Sequence, residues 1–295
     1  MIPITTPTGR IGRRLVELLV VAGRAVTIVA RHPEKLSPWL REREIVRQAS
    51  SEDAAALARA TEGTDVLFWL TPLDISVPNV RAWYRKIADS LRYAVRINQI
   101  PRVVNLSSIG ADRAEGLGAI SGLHDVEQAA NDAADNVLHL RPGFFMENFL
   151  TQLDSIRRDR KLRWLYPEHA RLPMIATSDI AQVAAEKLIN DSWSGHLVRG
   201  LHGPTDLSFD QATKILGAVT GRVLEHVQLT PDEFRWISRR WGMSEDLAEN
   251  YIEMSETLGR LGWSRFGEPR TSETTTRTTL GAWASQNFIP LVQHS

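Results

Sequence analysis

The chain has 295 residues, enough for a sizeable core in one or two domains. Its 35 Lys and Arg residues balance 35 Asp and Glu residues, so the formal net charge of zero gives no general attraction to nucleic acid or to an anionic membrane. No cysteine is present, which excludes disulfides, thiolate nucleophiles and Cys-bound metals, and any redox chemistry needs an organic cofactor.

The opening segment predicts one strand-helix-strand unit around a glycine-containing turn. Residues 2–4 form an apolar run typical of a strand, residues 13–22 have the spacing of an amphipathic helix, and residues 25–30 form a second strand. Gly9 and Gly12 lie in the turn that precedes the helix. Such a unit presents backbone N–H groups at a helix N-terminus to a pyrophosphate, so we expect a dinucleotide site.

Thr6 departs from the three-glycine spacing of such turns, G-x-x-G-x-x-G, at its first position. A glycine there lets the chain turn tightly, whereas Gly9 lets the backbone approach the phosphates and Gly12 lets the helix pack on the strand. A β-branched residue resists a positive φ, so we expect Thr6 to weaken or reshape the phosphate cradle. The alternative interpretation is an ordinary glycine turn without a nucleotide.

Arg31 follows the second strand, where an NAD enzyme places an acidic residue on the ribose 2′-hydroxyl. A guanidinium can bind a 2′-phosphate bidentately, and Lys35 adds positive charge nearby. The sequence therefore predicts a preference for NADP(H) over NAD(H). The alternative is that Arg31 is a solvated loop cation.

Four further strands are predicted in the rest of the first half of the chain. They cover residues 44–48, 65–70, 102–106 and 137–140, with helices predicted over 52–60, 76–98 and 122–135. The run at 65–70 is apolar almost throughout, which suits a parallel strand covered on both faces. This alternation predicts an α/β fold with a doubly wound parallel Rossmann sheet.

The pattern of elements changes in the second half of the chain. A helix is predicted over 146–160, a short strand over 172–176, and a docked terminal helix after the Thr-rich residues 271–279. Ser208 and Thr230 each begin a capping-box sequence, which predicts two more helices. The second half is therefore expected to be mostly helical.

The change of pattern suggests two domains. We expect residues 1–150 to form the NAD(P)-binding Rossmann domain and residues 151–295 to form a smaller substrate-binding lobe, with the chain crossing between the two. The lobe would close over the carboxyl edge of the sheet, so the cleft between them is the expected site.

Arg13 and Arg14 precede an apolar run and imitate a twin-arginine export signal. Glu17 interrupts that run and a predicted strand precedes the arginines, so a helix within the fold is the better interpretation. No apolar run reaches the length needed to span a bilayer. We therefore expect a cytoplasmic protein without a membrane or nucleic-acid partner.

Several runs of the sequence resemble the NmrA-like branch of the atypical short-chain dehydrogenase/reductases. They are the glycine turn, Val-Ala-Arg-His-Pro-Glu-Lys at 29–35, Val-Val-Asn-Leu-Ser-Ser at 103–108, Leu-Arg-Pro-Gly-Phe-Phe-Met-Glu-Asn-Phe at 140–149 and Met-Ile-Ala-Thr-Ser-Asp-Ile-Ala at 174–181. The run at 140–149 is the most specific, and the resemblance covers nearly the whole chain. It implies a Rossmann domain that binds NAD(P). Family members include quinone and azo-type reductases, relatives of isoflavone reductase, and redox-sensing regulators without known turnover.

The resemblance also implies where the cofactor and the substrate bind, with the phosphates and ribose near the glycine turn and the nicotinamide near later strand ends. The expected cofactor-binding residues are Thr6, Thr8, Gly9, Arg10, Ile11, Gly12, Arg31, Lys35, Thr71, Pro72, Pro142 and Gly143. The expected substrate contacts are Ser108, Phe144, Phe145, Met146 and Asn148.

The proton donor of a typical short-chain dehydrogenase, Tyr-x-x-x-Lys, is absent. Four residues after Tyr84, Tyr93, Tyr166 and Tyr251 stand Ala88, Ile97, Ala170 and Ser255. His124 follows strand five where reductases of this family often carry Lys or His, so it is the one candidate donor there; the alternative is a helix-surface or ribose-contacting histidine. The eight histidines show no metal-ligand spacing, so no metal is expected.

The missing acid favours a particular class of substrate. Reduction of a ketone needs a well-placed acid, whereas reduction of a quinone gives a delocalised, weakly basic oxyanion that water or His124 can protonate. The sequence therefore predicts hydride transfer from NADPH to a quinone-like or polycyclic aromatic small molecule stacked near Phe144 and Phe145. For these aromatic residues the alternative is core packing.

Two other functions are compatible with the sequence. One is a non-catalytic NAD(P)-sensing regulator that passes its state to a protein partner, which Thr6 and the missing acid favour. The other is a cofactor-lapsed protein that catalyses a non-redox biosynthetic step. A homodimer or a regulatory protein partner is compatible with each interpretation.

Overall fold

Seven parallel strands form the central sheet of the computed structural model, which describes residues 1–190 and 192–293. In chain order, the strands of all three sheets are β1 (Ile2–Thr5), β2 (Val26–Ala30), β3 (Ile45–Gln48), β4 (Val66–Leu70), β5 (Arg102–Leu106), β6 (Asn136–Pro142), β7 (Phe144–Phe145), β8 (Lys161–Trp164), β9 (Arg171–Ile175), β10 (His196–Leu201), β11 (Asp206–Ser208) and β12 (Glu225–Gln228). The helices are α1 (Arg10–Val21), α2 (Pro38–Arg43), α3 (Ala54–Ala60), α4 (Val80–Ile97), α5 (Ala119–Asn131), α6 (Leu153–Asp159), α7 (Thr177–Ile189), α8 (Phe209–Thr220), α9 (Pro231–Arg240), α10 (Glu245–Leu261), α11 (Leu280–Asn287) and α12 (Ile289–Gln293).

The strand order of the central sheet is β10-β6-β5-β4-β1-β2-β3, which confirms the predicted doubly wound Rossmann fold. Ile4 of β1 lies opposite Ile28 of β2 on one side and opposite Phe68 of β4 on the other. The order of the strands therefore reverses between β1 and β4. Ligands of such sheets bind in the crevice outside the carboxyl ends of the strands at that point.

The edge strand β10 comes from the second half of the chain and is not among the predicted strands. It pairs in parallel with β6, with Leu197 opposite Leu138. The helix before it, α7, packs on α1 and buries Ile180 and Ala184 in the same core as Leu15 and the β1 side chains. The chain thus crosses back to the Rossmann sheet through α7 and β10, and the division at residue 150 stays a prediction.

Three hydrophobic cores hold the described chain together. One lies between the sheet and α1 with α7, and a second lies between the opposite face of the sheet and α3, α4 and α5. The third occupies the second half of the chain, where Phe149 and Phe209 are fully buried. The two cores on the sheet explain why its central strands are continuously apolar.

The second half combines helices with two small sheets, β11-β9-β7 and β12-β8. The helix predicted over 146–160 is a 3₁₀ segment, Met146–Gln152, followed by α6. The capping boxes predicted at Ser208 and Thr230 are confirmed, and the predicted terminal helix is α11, which buries Trp283.

Several predicted helix starts are wrong. Helix α1 begins at Arg10 instead of residue 13, and α5 begins at Ala119 instead of 122. Helix α4 begins at Val80 instead of 76, because Asn79 Oδ1 accepts a hydrogen bond from Ala82 N and so caps the helix. Among the described residues, no helix is both long enough and apolar enough to cross a bilayer.

Glu147 caps α7 from a distance of thirty residues along the chain. Its carboxylate accepts hydrogen bonds from Thr177 N at 3.0 and 3.2 Å and from Trp283 Nε1 at 3.0 Å. The N-terminus of α7 has no capping side chain of its own at Ala176. The carboxylate therefore joins the segment after β6, α7 and α11 at one point, and a negative charge there also suits the helix dipole.

We expect Glu147→Ala to lower the free energy of unfolding by about 2 kcal/mol, because the N–H groups of Thr177 and Trp283 lose their acceptor. Urea unfolding monitored by tryptophan fluorescence measures the change. Asp154→Ala is the control, since that side chain is 93% exposed and its loss should cost little. Equal stability of the two variants would show that the cap contributes nothing.

A polar row lies between α5 and the sheet. Asn105 Nδ2 donates to His139 Nδ1 at 3.0 Å, and His139 Nε2 donates to Asn131 Oδ1 at 3.0 Å. Both ring nitrogens of this buried imidazole are thus satisfied in its neutral form. Burial lowers the pKa of His139 to about 4, although the nearby charge of Glu127 opposes the shift.

The pKa of His139 predicts a loss of stability in mild acid. In the unfolded chain an imidazole binds its proton near pH 6.5, whereas folded His139 binds it only near 4. The unfolded state therefore gains a proton first as the pH falls, and on the order of 2 kcal/mol is lost between pH 7.5 and 5. The free energy of unfolding, measured with urea at both pH values, should fall less with pH in His139→Gln than in the natural protein. Identical pH effects would contradict this assignment; His32→Gln, at an exposed ring, is the control.

Candidate cofactor and active site

Thr6, in the turn between β1 and α1, has a backbone conformation that favours glycine. Thr6 has φ +53°, and its carbonyl accepts a hydrogen bond from Gly9 N at 3.2 Å. The Thr6 hydroxyl donates to Leu70 O at 3.0 Å, which ties the strained residue to β4. A positive φ strains the backbone of a β-branched residue. Thr6 therefore adopts the positive φ that a β-branched residue resists, and the turn closes with a strained backbone at this position.

Gly12 lets α1 pack on that turn. A Cβ at this position would lie 2.3 Å from Thr6 O, closer than any side chain tolerates. Gly9 precedes the helix in an extended conformation without a side-chain cap, so the amides of Arg10, Ile11 and Gly12 have no intrahelical acceptor. Amides of this kind at a helix N-terminus can bind an anion, and these lie at the switch point of the sheet.

A groove of about 180 Å³ joins the turn to the ends of β2 and β3. It is lined by Thr6, Pro7, Thr8, Val29, Ala30, Arg31, His32, Lys35, Ala49, Ser50, Ser51, Glu52, Pro72 and Trp83. Arg31 and Lys35 are both exposed to solvent at this groove, and β2 ends without an acidic residue. Gly9, Arg10, Ile11 and Gly12 do not line the groove, but they directly follow Thr8, which does. Two cations on a groove that ends next to a helix N-terminus fit a phosphorylated dinucleotide.

The groove includes residues that sequence reasoning missed. Ser50, Ser51 and Glu52 follow β3, and Trp83 lies on α4. The position of the serines after a strand is the one signal that could have indicated them, since the carboxyl ends of parallel strands share one edge. Asp74, in the loop after β4, does not line the groove but is influenced by Arg31: hydrogen bonds from Ser76 lower the pKa of its carboxyl, and the charge of Arg31 adds to the shift.

The loop after β4 is held by two indole groups. Trp69 Nε1 donates to Thr71 Oγ1 at 3.0 Å, and Trp83 Nε1 donates to Pro72 O at 3.3 Å. Pro72 lies on the groove with the turn and Arg31, whereas Thr71 is beside it in the chain. The structure thus brings the predicted β4 residues to the edge where the cofactor is expected.

The loops after β5, β6 and β10 are joined by backbone hydrogen bonds. Ile109 N donates to Pro142 O at 3.1 Å, and Gly143 N donates to Leu201 O at 3.0 Å. Ser108 is half-buried beside Ile109, and its hydroxyl donates to the Ile109 carbonyl at 3.2 Å. Pro142 and Gly143 are buried, so their contact with the nicotinamide stays a prediction.

The predicted aromatic substrate contacts divide into two groups. Phe144 is 6% exposed and packs edge-to-face on Phe149 and Trp164 at 5.6 and 5.4 Å, while Met146 is 1% exposed. Both belong to the core of the second half, which leaves little of either side chain for a substrate. Phe145 and Asn148 are half-buried. A substrate role for these residues and for Ser108 stays a prediction.

His124 lies half-buried on α5, with Nδ1 3.1 Å from Ala111 O. A carbonyl only accepts, so Nδ1 carries a hydrogen and donates it. In the neutral ring Nε2 then has no hydrogen and can only accept one. It can donate a proton only when the ring is an imidazolium. The catalytic role of His124 stays a prediction. Within residues 1–190 and 192–293, no cluster of three or more His, Asp or Glu side chains could hold a metal ion.

Comparison with known proteins gives the family. A sequence family described as NAD(P)H-binding matches residues 7–191, and the chain belongs to it. The resemblance to the NmrA-like atypical short-chain dehydrogenase/reductases is confirmed. The groove, the helix terminus and the glycine turn lie within the matched residues or directly before them.

Individual relatives extend over most of the chain. A (4-alkanoyl-5-oxo-2,5-dihydrofuran-3-yl)methyl phosphate reductase of Streptomyces griseus is 30% identical over 80% of this chain and 79% of its own length. An NAD(P)H azoreductase of Xenophilus azovorans is 26% identical over 86% of each chain. The solved NADPH complex of an NADPH-dependent quinone oxidoreductase from Escherichia coli has the same fold, with a TM-score of 0.77 at 21% identity, over 98% of this chain and all of that one (100%). The chain is thus an oxidoreductase of NAD(P)H-binding type.

Proposed function

We propose that this protein is an NADPH-dependent reductase of a quinone-like or polycyclic aromatic small molecule. The observation that carries the proposal is the groove that Arg31 and Lys35 share with Thr6 and Thr8 of the turn before α1, with no acidic residue ending β2. Relatives named as azoreductase and quinone oxidoreductase support the substrate class.

The groove, the α1 terminus and the nearby strand ends would each contact a different part of the cofactor. The amides of Arg10, Ile11 and Gly12 would hold the pyrophosphate, and Arg31 would hold the 2′-phosphate with help from Lys35. The carboxyl ends of β4 and β6 would hold the nicotinamide end. When bound there, NADPH supplies a hydride.

The substrate class follows from the acids that the site lacks. Burial raises the pKa of Tyr84, Tyr166 and Tyr251, so these phenols hold their protons tightly inside the protein. Tyr93 lies 48% exposed on α4, outside the groove. His124 or water is left to protonate the product. A quinone-like acceptor suits this arrangement, because its reduced oxyanion is weakly basic.

Steady-state oxidation of NADPH with a panel of quinones and azo dyes tests the proposal. We expect turnover with at least one acceptor, and a roughly hundredfold or more lower kcat in His124→Gln if the imidazole donates the proton. Tight NADPH binding without turnover of any acceptor would favour the regulator instead. No nucleotide binding at all would favour the cofactor-lapsed biosynthetic protein.

A further inference from the structure

Glu127, Arg141 and Glu268 form an ion triad between α5, β6 and the C-terminal region, in which Glu127 and Arg141 are buried and Glu268 is half-buried. Arg141 Nε and Nη2 donate to the two carboxylate oxygens of Glu127 at 2.9 and 2.6 Å, and Arg141 Nη1 donates to Glu268 Oε1 at 3.1 Å. Glu127 is 2% exposed and Arg141 is 8% exposed. The bidentate pair fixes both the distance and the orientation of the two charged groups.

The triad joins two elements on which the proposed reaction depends. Glu127 lies one helical turn after His124 on α5, and Arg141 directly precedes Pro142 and Gly143 at the carboxyl end of β6. A shift of α5 along or away from β6 would therefore move His124 relative to the strand end that faces the cofactor crevice. The ion pair opposes that shift, because separating two buried charges is costly.

Glu268 belongs to a segment that we call the C-terminal strap, residues 266–276. Its backbone is bonded to the strand ends: Gly110 N donates to Phe266 O at 3.1 Å, and His202 N donates to Thr274 O at 2.8 Å. A Cβ at Gly200, which lies opposite Arg141 in β10, would be 2.8 Å from Glu268 Oε2. The absence of a side chain at Gly200 thus makes room for the Glu268 carboxylate beside Arg141.

Stability alone does not explain the triad. Glu268 Oε2 is buried and has no hydrogen-bond partner in the described part of the chain. A buried network with one unsatisfied oxygen is weaker than apolar side chains of the same volume. Asp112 Oδ1 also lies 3.8 Å from Arg141 Nη1, so three carboxylates surround one guanidinium. Such a cluster is a costly way to stabilise a fold, whereas it defines geometry well.

We propose that Glu127, Arg141 and Glu268 are positioning residues, which hold His124 on α5 at a fixed place relative to the Pro142–Gly143 end of β6. This inference rests on the proposed function. Displacements on the order of 1 Å can lower an enzymatic rate about a hundredfold, so the triad acts on the rate of the chemical step without touching the reactants.

Glu127→Gln is the main test, since it keeps the shape of the side chain and removes its charge. Asp125→Asn is a matched control on the same helix: Asp125 pairs bidentately with Arg81 at 2.6 and 2.8 Å, which ties α5 to α4 instead of β6. We expect kcat to fall about tenfold or more in Glu127→Gln with the Kd for NADPH changed less than about threefold, and kcat to stay within about twofold in Asp125→Asn.

Hydrogen exchange of the nucleotide-free protein is a second readout, independent of turnover. Exchange in α5 and in the C-terminal strap should be faster in Glu127→Gln, and strap exchange should be unchanged in Asp125→Asn. If Glu127→Gln does not fold, Glu268→Gln is the second variant, with a smaller loss of kcat and faster exchange in the strap. In the His124→Gln background, Glu127→Gln should lower kcat little further, because the group that it positions is already gone.

The outcomes separate this inference from the proposed function. Natural protein that binds NADPH but reduces no acceptor overturns the proposed function, and with it the role of the triad. Natural protein that turns over, with equal kcat in Glu127→Gln or with equal losses in Glu127→Gln and Asp125→Asn, overturns the positioning role alone.

Discussion

Replacing Gly12 with valine is expected to weaken NADPH binding about a hundredfold, or roughly 3 kcal/mol. A Cβ at position 12 would lie 2.3 Å from Thr6 O, and valine adds two methyl groups at that point. Either α1 moves away from the turn or Thr6 leaves its strained φ of +53°. Both changes misplace the amides of Arg10 and Ile11 that would bind the pyrophosphate. Quenching of tryptophan fluorescence by NADPH measures the Kd.

Gly9→Ala separates loss of the cradle from a general loss of stability. A Cβ at position 9 meets its nearest heavy atom, Thr6 O, at 3.5 Å, an ordinary contact, and the φ of Gly9 is −73°. The free protein should therefore tolerate alanine there, at a cost below about 1 kcal/mol. Gly12→Val protein with the natural affinity for NADPH would show that the turn does not hold the phosphates.

Arg31→Ala is expected to weaken NADPH binding about 10- to 150-fold and to leave NADH binding unchanged. The guanidinium is exposed at the groove and would form charged hydrogen bonds with the 2′-phosphate, worth about 1.5 to 3 kcal/mol. NADH has no phosphate at that position, so its affinity should not depend on Arg31. Titration of both nucleotides against the natural and substituted proteins measures the difference.

Arg13→Ala is the matched control for general electrostatic attraction. That guanidinium is 67% exposed on α1, where it pairs with Glu17 outside the groove. Arg13→Ala removes the same charge from the surface near the turn. A non-specific electrostatic effect would therefore lower the affinities for NADPH and NADH in both variants. Equal losses for NADPH and NADH in Arg31→Ala would leave the cofactor preference without a structural cause.

The first strand-helix-strand unit was predictable because its signals are local. β1, the turn and β2 follow from apolar runs and two glycines within one short stretch, and Arg31 from its place after β2. Thr6 shows the limit of this reasoning, since it adopts the positive φ that threonine resists in a turn where its hydroxyl bonds to Leu70, on a strand far along the chain. Tertiary contacts overrode a local preference.

The edge strand β10 was missed for a related reason. His196, Leu197 and Val198 are exposed, so the run lacks the burial pattern of the central strands. Its pairing with β6 depends on α7 returning across the sheet, which no local signal encodes. Glu147 likewise caps α7 through contacts that only the folded chain creates.

The candidate site was predictable only where its residues adjoin a strand end in sequence. Thr6, Thr8, Arg31, Lys35 and Pro72 were predicted and share one groove. The ion triad was not predicted, because its members lie 14 and 127 residues apart in the chain. Phe144 and Met146 look in sequence like a substrate surface and are core residues in the structure, since apolar side chains alone do not distinguish the two.

A crystal structure of the protein with NADPH tests the central claim most directly. We expect the pyrophosphate on the amides of Arg10, Ile11 and Gly12, and the 2′-phosphate within hydrogen-bonding distance of the Arg31 guanidinium. A groove that stays empty at saturating NADPH, or a 2′-phosphate bound away from Arg31, would contradict it.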